Sequence, residues 1–213
     1  MIDATADPPP DCPLCPRLLH YRRANAAEQP TWFNGAVPSF GETSARLLIV
    51  GLAPGRMGAN RTGRPFTGDF AGELLYATLL KFGFAHGTYG ADPGDGLVLR
   101  DCMITNAVRC APPANKPTTE EIATCRPFLA ARLASLPRLA LVLALGRVAH
   151  EQVLSALAQR RATSPFAHGA RHALPRNLGL YDSFHCSRYN TNTGRLTTEM
   201  FEDVVGRIRR ELA

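Results

Sequence analysis

Four short apolar runs recur along the chain, at 46–50, near 102–106 within 97–108, at 139–145 and at about 180–184. None alternates polar with apolar residues, which predicts strands buried on both faces. Between them lie segments with helical spacing. Residues 17–27 predict a first helix. Leu74, Leu75, Leu79 and Leu80 predict one over 70–84. Thr118 or Thr119, with Glu120 and Glu121 in the first turn, opens a helix to about 133. Helices are also expected over 147–158 and from Thr197 or Thr198 to about 212. Strands alternating with helices predict an α/β fold, a parallel sheet with helices on both faces. Residues 1–11, with Pro8, Pro9 and Pro10, read as a disordered or extended tail, and 12–213 as a single domain.

The least regular stretch follows the first strand. Residues 51–69 hold five glycines and two prolines, so they form a shaped loop. Asn60, Arg61, Thr62, Arg64, Phe66 and Asp69 give that loop hydrogen-bonding, cationic, aromatic and acidic groups together. The C-terminal ends of parallel strands are where open α/β sheets bind ligands. The loops after the first, second and fourth strands hold most of the unusual polar residues and should gather at one sheet edge. Asp69 also reads as the cap of the next helix, and His168, Arg171 and His172 as a solvated basic loop.

Composition narrows the class. The chain has 213 residues, 45% hydrophobic and 20% charged, as in an ordinary globular domain. Its formal net charge of +6 favours polyanionic partners. No apolar run approaches the roughly 20 residues of a membrane span. Met1–Asp7 has no apolar signal core, so the cytoplasm is the expected location. Six cysteines in a reducing compartment point to metal ligands or free thiols. Cys12 and Cys15 form a C-x2-C pair; Cys110 and Cys125 form a second, wider pair. Four thiolates suit zinc or an iron–sulfur cluster equally well. Cys102 and Cys186 read as packing residues.

Three motifs carry a resemblance. Gly51-Leu-Ala-Pro-Gly, continued by Asn60-Arg-Thr-Gly-Arg-Pro-Phe-Thr-Gly-Asp69, is similar to the first motif of the iron–sulfur uracil-DNA glycosylases, most of all their family 5 branch. Ile104-Thr-Asn-Ala-Val-Arg-Cys110 with the prolines after it resembles the second motif, and His185-Cys-Ser-Arg-Tyr-Asn190-Thr-Asn-Thr-Gly-Arg the last. The resemblance spans residues 12 to about 200.

It implies a three-layer α/β/α fold around a four-stranded parallel sheet. It implies hydrolysis of the N-glycosidic bond of a deaminated base, uracil and also hypoxanthine or others, in double-stranded DNA, by a monomer. A non-cleaving damage-binding protein on the same fold is the alternative. The resemblance assigns Phe66 to stacking on a flipped base, Asn106 to reading its edge and His185 to the anion that develops on it. Gly51 and Ala53 would line the base pocket. Ser187, Arg188, Tyr189 and Asn190 would enter the DNA, with Arg61 and Arg64 as further contacts. Cys12, Cys15, Cys110 and Cys125 would hold a structural [4Fe–4S] cluster. Two positions depart from related motifs. Leu52 and Ala53 are apolar where sister families carry a carboxylate or amide, leaving Asn60 and Asp69 as candidates for holding water. Cys186 stands where proline is common.

Overall fold

A computed structural model of the chain describes residues 6–213. Its elements run α1 (Pro16–Glu28), β1 (Phe40–Gly41), β2 (Leu47–Gly51), α2 (Ala59–Thr62), α3 (Phe70–Lys81), β3 (Ala85–His86), β4 (Val98–Leu99), β5 (Cys102–Asn106), α4 (Thr119–Ser135), β6 (Leu141–Leu145), α5 (Arg147–Ala156), β7 (Arg171–Leu174), β8 (Leu178–Ser183), α6 (Arg188–Asn192) and α7 (Thr198–Glu211).

The four expected strands are parallel neighbours in the order β5-β2-β6-β8. The sheet has six strands, however, because β1 adds antiparallel to β5 and β7 antiparallel to β8. β3 and β4 pair in a separate small ribbon. Both edge strands fell inside segments expected as loops. β1 is two residues long, and β7, Arg-His-Ala-Leu, is too polar to announce itself.

Side chains on β2 and β6 alternate between two cores. Leu47, Ile49, Leu141 and Leu143 pack with α3 and α7 on one face. Leu48, Val50, Val142 and Ala144 pack with α4 and α5 on the other. Burial on both faces is why these strands are apolar throughout. The result is the three-layer α/β/α arrangement expected. Thr118 opens α4 with a capping box: its Oγ1 accepts from Glu121 N–H (3.2 Å), and Glu121 Oε2 accepts from Thr118 N–H (2.8 Å). The helix expected to reach residue 84 stops at Lys81, where Gly83 turns left-handed (φ +71°).

The expected N-terminal tail is tied down where it is described. Asp7 pairs with Arg109 (2.8 Å) and Arg132 (2.5 Å), and Arg22 donates to the Pro10 and Cys12 carbonyls. Residues 1–5 of that tail lie outside the described residues. No helix among the described residues is long and apolar enough to cross a membrane.

Candidate active site

From β2 the chain goes to its neighbour β5 on one side, and from β5 it crosses to β6 on the other side of β2. Beyond the C-terminal ends of these strands, at this switch point, lies a cavity of about 310 Å³. Leu52, Ala53, Gly55, Phe66 and Asp69 line it from the loop after β2, Asn106 from the end of β5, and His185, Ser187 and Arg188 from the loop after β8.

Register builds the floor. Gly51 sits opposite Asn106, and the ladder runs on past the strand ends: Ala107 N–H donates to Gly51 O and Val108 N–H to Leu52 O, both at 2.9 Å. A Cβ on Gly51 would strike Asn106 Oδ1 and come within 2.6 Å of the Phe66 ring, so only glycine fits there. Phe66 adopts a left-handed backbone (φ +53°), rare for a bulky residue, and its ring stacks toward His185 with centroids 5.8 Å apart. Asn106 is buried, yet its Oδ1 has no hydrogen-bond partner. Gly51, Ala53, Phe66 and Asn106 are thus brought together as expected.

Asp69 stands at the N-cap of α3 with extended backbone, but its side chain makes no capping hydrogen bond. The carboxylate still lies near the Ala71 and Gly72 N–H groups of the first turn, so the cap reading holds in part. It also faces Gly55 and Gly58, where a Cβ on Gly58 would meet Asp69 Cγ at 2.7 Å. Oδ1 is buried and unpartnered. Burial raises the carboxyl pKa, and the backbone N–H groups of Gly72 and Ala71 partly offset that. His185 is half-buried at the cavity wall, and burial lowers its imidazole pKa to about 4, so the ring is neutral at neutral pH.

Asn60, expected to hold water, and Arg61 and Arg64, expected to contact DNA, lie off the cavity wall. Asn60 is fully buried and donates from Nδ2 to Asn34 Oδ1 (2.9 Å) outside the cavity lining. Arg64 is a brace, not a free cation. It pairs bidentately with Asp95 (2.8 and 2.7 Å), donates to Thr67 Oγ1 (2.7 Å) and lies against the Phe40, Tyr76 and Tyr89 rings. Its partner holds the Asp95 carboxyl well below the usual range. Arg61 is exposed and folds back on its own loop, donating to Met57 O (2.9 Å).

The loop after β8 divides its labour. Ser187 caps α6 by accepting from Asn190 N–H, and Asn190 Nδ2 donates to His185 O (2.8 Å). Both shape the loop that carries His185. Arg188 lies over the Phe70 ring (5.1 Å), and Tyr189 is 72% exposed. The expected solvated basic loop is solvated only in part: Arg171 is exposed but pairs with Glu211, while half-buried His172 pairs with Asp182 and half-buried His168 stacks on Phe184.

Sequence reasoning missed two features. Asn115 lines the cavity from the loop after β5, where Ala114 and Asn115 both hold left-handed backbone (φ +54° and +57°). The prolines around them signal irregular backbone, but not its direction. It also missed the buried Arg109 beside Cys110, which the N-terminal Asp7 neutralises.

Cys12, Cys15, Cys110 and Cys125 line one small apolar pocket between α1 and α4, with Leu18, Val108 and Phe128 around them. All are free thiols. Burial pushes Cys15 up to about 11 and Cys110 up to about 12, and mutual proximity adds to it. Four thiols crowded together, with Cys15, Cys110 and Cys125 made reluctant to ionise by burial, fit a cationic centre, which would reverse that preference. Arg109 N–H donates to Cys125 Sγ (3.4 Å), the kind of hydrogen bond that stabilises a metal thiolate. Arg17 pairs with Glu121 (2.7 Å) across the same corner.

Comparisons with known proteins agree with this geometry. Residues 38–209 match the family described as the uracil DNA glycosylase superfamily. The chain is 45% identical over 204 residues to the type-5 uracil-DNA glycosylase of Thermus thermophilus, covering 93% of each chain. It is 39% identical over 202 residues to the type-5 enzyme of Pyrobaculum aerophilum, covering 92% of this chain and 87% of that one. It is 34% identical over 152 residues to the type-4 enzyme of the same organism, covering 70% and 63%. The chain therefore belongs to the uracil-DNA glycosylase superfamily, in its type-5 group.

Proposed function

We propose that the protein removes uracil from DNA by hydrolysing its N-glycosidic bond and leaves an abasic site. The observation that carries this reading is the buried, unpartnered Asn106 Oδ1 beside Phe66 and the neutral His185 in one cavity. A base in duplex DNA is out of reach, so it must be flipped into that cavity, at a cost of a few kcal/mol. Stacking on Phe66 returns roughly 1–3 kcal/mol. The Asn106 amide offers an acceptor and a donor to the acceptor and donor of the uracil edge. As the bond lengthens, the sugar becomes cation-like and the base anionic. His185, held neutral, donates a ring N–H to that anion, a contact stronger in the transition state than in the ground state. Asp69 Oδ1 accepts from the attacking water and faces the positive sugar.

Apolar Leu52 and Ala53 favour a second reading, a protein that flips bases without cleaving. The unpartnered Asp69 oxygen weighs against it. We further propose that the base range includes hypoxanthine and other deaminated bases, and that the substrate is double-stranded DNA bound by a monomer in the cytoplasm. Arg147, Arg188 and Arg195 lie over the Phe166, Phe70 and Phe184 rings (5.5, 5.1 and 4.6 Å). Among the described residues they have no carboxylate partner, so their N–H donors are free for phosphates. Exposed Tyr189 would fill the gap left by the flipped base.

Cys12, Cys15, Cys110 and Cys125 would hold a [4Fe–4S] cluster, which when bound would anchor the N-terminal segment and α4 to the loop after β5. Broad visible absorption with four irons per chain is expected. A colourless, zinc-loaded and fully active preparation would overturn the cluster. The function itself is tested with duplexes that each carry one modified base, under single turnover, comparing wild type with Asn106→Ala. Wild type should release uracil, and the variant should lose most of that activity. A fully active variant would sink the role of Asn106, and tight binding without base release would select the second reading.

A further inference from the structure

His150 on α5, His172 on β7 and Asp182 on β8 form a cluster that the glycosylase reading leaves unused. One ligand atom from each lies within 4.8 Å of the others. Asp182 is fully buried, His150 nearly so, and His172 half-buried. His150 Nδ1 is 2.7 Å from Asp182 Oδ1, and His172 Nε2 is 3.0 Å from Asp182 Oδ2. The imidazole planes are inclined at 64°, so the two nitrogens converge on the carboxylate from different directions.

The other nitrogen of His150 decides the chemistry. Nε2 lies 2.8 Å from Ser164 O. A carbonyl only accepts, so Nε2 carries the proton and donates it. In a neutral ring, Nδ1 then aims its lone pair at a carboxylate oxygen, which also only accepts. A proton has to sit between them, on the ring or on the carboxyl, or a metal ion has to replace it, with Nδ1 and Oδ1 moving apart from 2.7 Å to make room. A metal-binding histidine typically donates its remote N–H to a backbone carbonyl, which fixes tautomer and ring angle. Ser164 already supplies that partner. Two imidazoles and one carboxylate form the N/O set that zinc and similar divalent ions take, with a fourth position left for water.

We propose that His150, His172 and Asp182 form a binding site for zinc or a similar divalent transition metal, separate from the four-cysteine corner. The three residues come from three elements that meet at one end of the sheet, and half-buried His172 leaves that side open to solvent. The ion would staple edge strand β7 and helix α5 to β8, the strand that ends two residues before His185. The site is a structural one, since none of its residues lines the base cavity.

The test uses the whole purified protein, stripped of loosely bound metal and given one equivalent of zinc chloride. Wild type should retain about one zinc per chain after gel filtration, with only nitrogen and oxygen ligands at roughly 2.0–2.2 Å in zinc X-ray absorption. Zinc should raise the melting temperature of wild type. His172→Ala and Asp182→Asn should each weaken zinc binding at least 100-fold and remove the rise. No retained zinc would overturn the proposal, as would zinc bound only by sulfur at about 2.3 Å. A nitrogen-15 spectrum showing both His150 ring nitrogens protonated with zinc present would overturn it too.

Discussion

Asp69, half-buried with one oxygen enclosed, and Asp182, fully buried, lie near the same end of one sheet, and the fold treats them in opposite ways. Both oxygens of Asp182 are occupied, by His150 and His172, with the Ala167 N–H nearby at 3.4 Å. Asp69 keeps Oδ1 buried and bare, and a few residues away Asn106 does the same. Leaving a buried polar group unpaired costs about 1–3 kcal/mol. A fold keeps such a cost where a ligand later supplies the partner. Orphaning alone is not the mark, since Asn60 Oδ1 is also bare but lies off the cavity wall. Orphaned groups on the wall of one cavity mark the candidate base site, whereas Asp182, with both oxygens held by histidines, serves the framework, as a structural metal site also would.

The framework side of this contrast breaks hardest at Arg64. Removing it leaves the enclosed Asp95 carboxylate without a countercharge and with only the Gly90 and Leu97 N–H groups, and losing one partner of a buried pair costs about 3–5 kcal/mol. Arg64→Ala should lose that much stability in urea unfolding. Its remaining folded fraction should bind uracil-containing duplex with the wild-type salt dependence. A stable variant whose salt slope falls by about one would make Arg64 a phosphate contact after all.

On the cavity side, the effects fall on chemistry. His185→Ala should slow single-turnover base release on the order of 100- to 1000-fold, the usual loss for one donor to a developing anion. Duplex binding should change only a few-fold. Equal losses in binding and rate would mean that His185 holds the ground state instead.

Asp69→Asn sharpens the contrast, because stability and rate should move in opposite directions. The amide lifts the burden of a buried, half-partnered carboxylate, so the variant should gain about 1 kcal/mol in unfolding free energy. Base release should fall about 100-fold or more if Asp69 handles the water. A variant that loses stability and keeps its rate would return Asp69 to the role of helix cap.

How much of this was legible before the structure follows from the same physics. β2 and β6 were readable because burial on both faces leaves no polar residue in them, and β5 and β8 because each begins on an apolar run before its polar C-terminal end. β7 was not, because an edge strand with one solvated face can be Arg-His-Ala-Leu and still pair. The cavity residues were readable as motifs, Gly51, Phe66, Asn106 and His185 most of all. What could not be read was which polar residues end up spent. Arg64 and Arg61 look alike in the sequence, but Asp95, thirty-one positions beyond Arg64, comes back to bury one of them. Asp7 looked like part of a loose tail because its partners, Arg109 and Arg132, lie more than a hundred residues away.

The smallest expected effect separates His185 from Asp69 by pH. Burial holds the folded His185 pKa near 4, below its unfolded value of 6.5. Between those values the unfolded chain binds the proton and the folded chain does not. Stability from this group is therefore present above pH 6.5 and lost as pH falls toward 4. Asp69 has the opposite sign: its folded pKa is raised, so its contribution improves as pH falls. Melting temperatures of wild type and His185→Gln, measured side by side from pH 7 to pH 4, cancel Asp69 and isolate the histidine. Wild type should lose about 2–4 °C relative to the variant across that range, as for about 1 kcal/mol in a protein of this size, because the open cavity mouth screens part of the burial. A constant difference between the two would mean that His185 titrates in the folded protein as it does in water. It would then enter the reaction as a cation below neutral pH, and base release should rise, not stay level, as pH falls through 6.5.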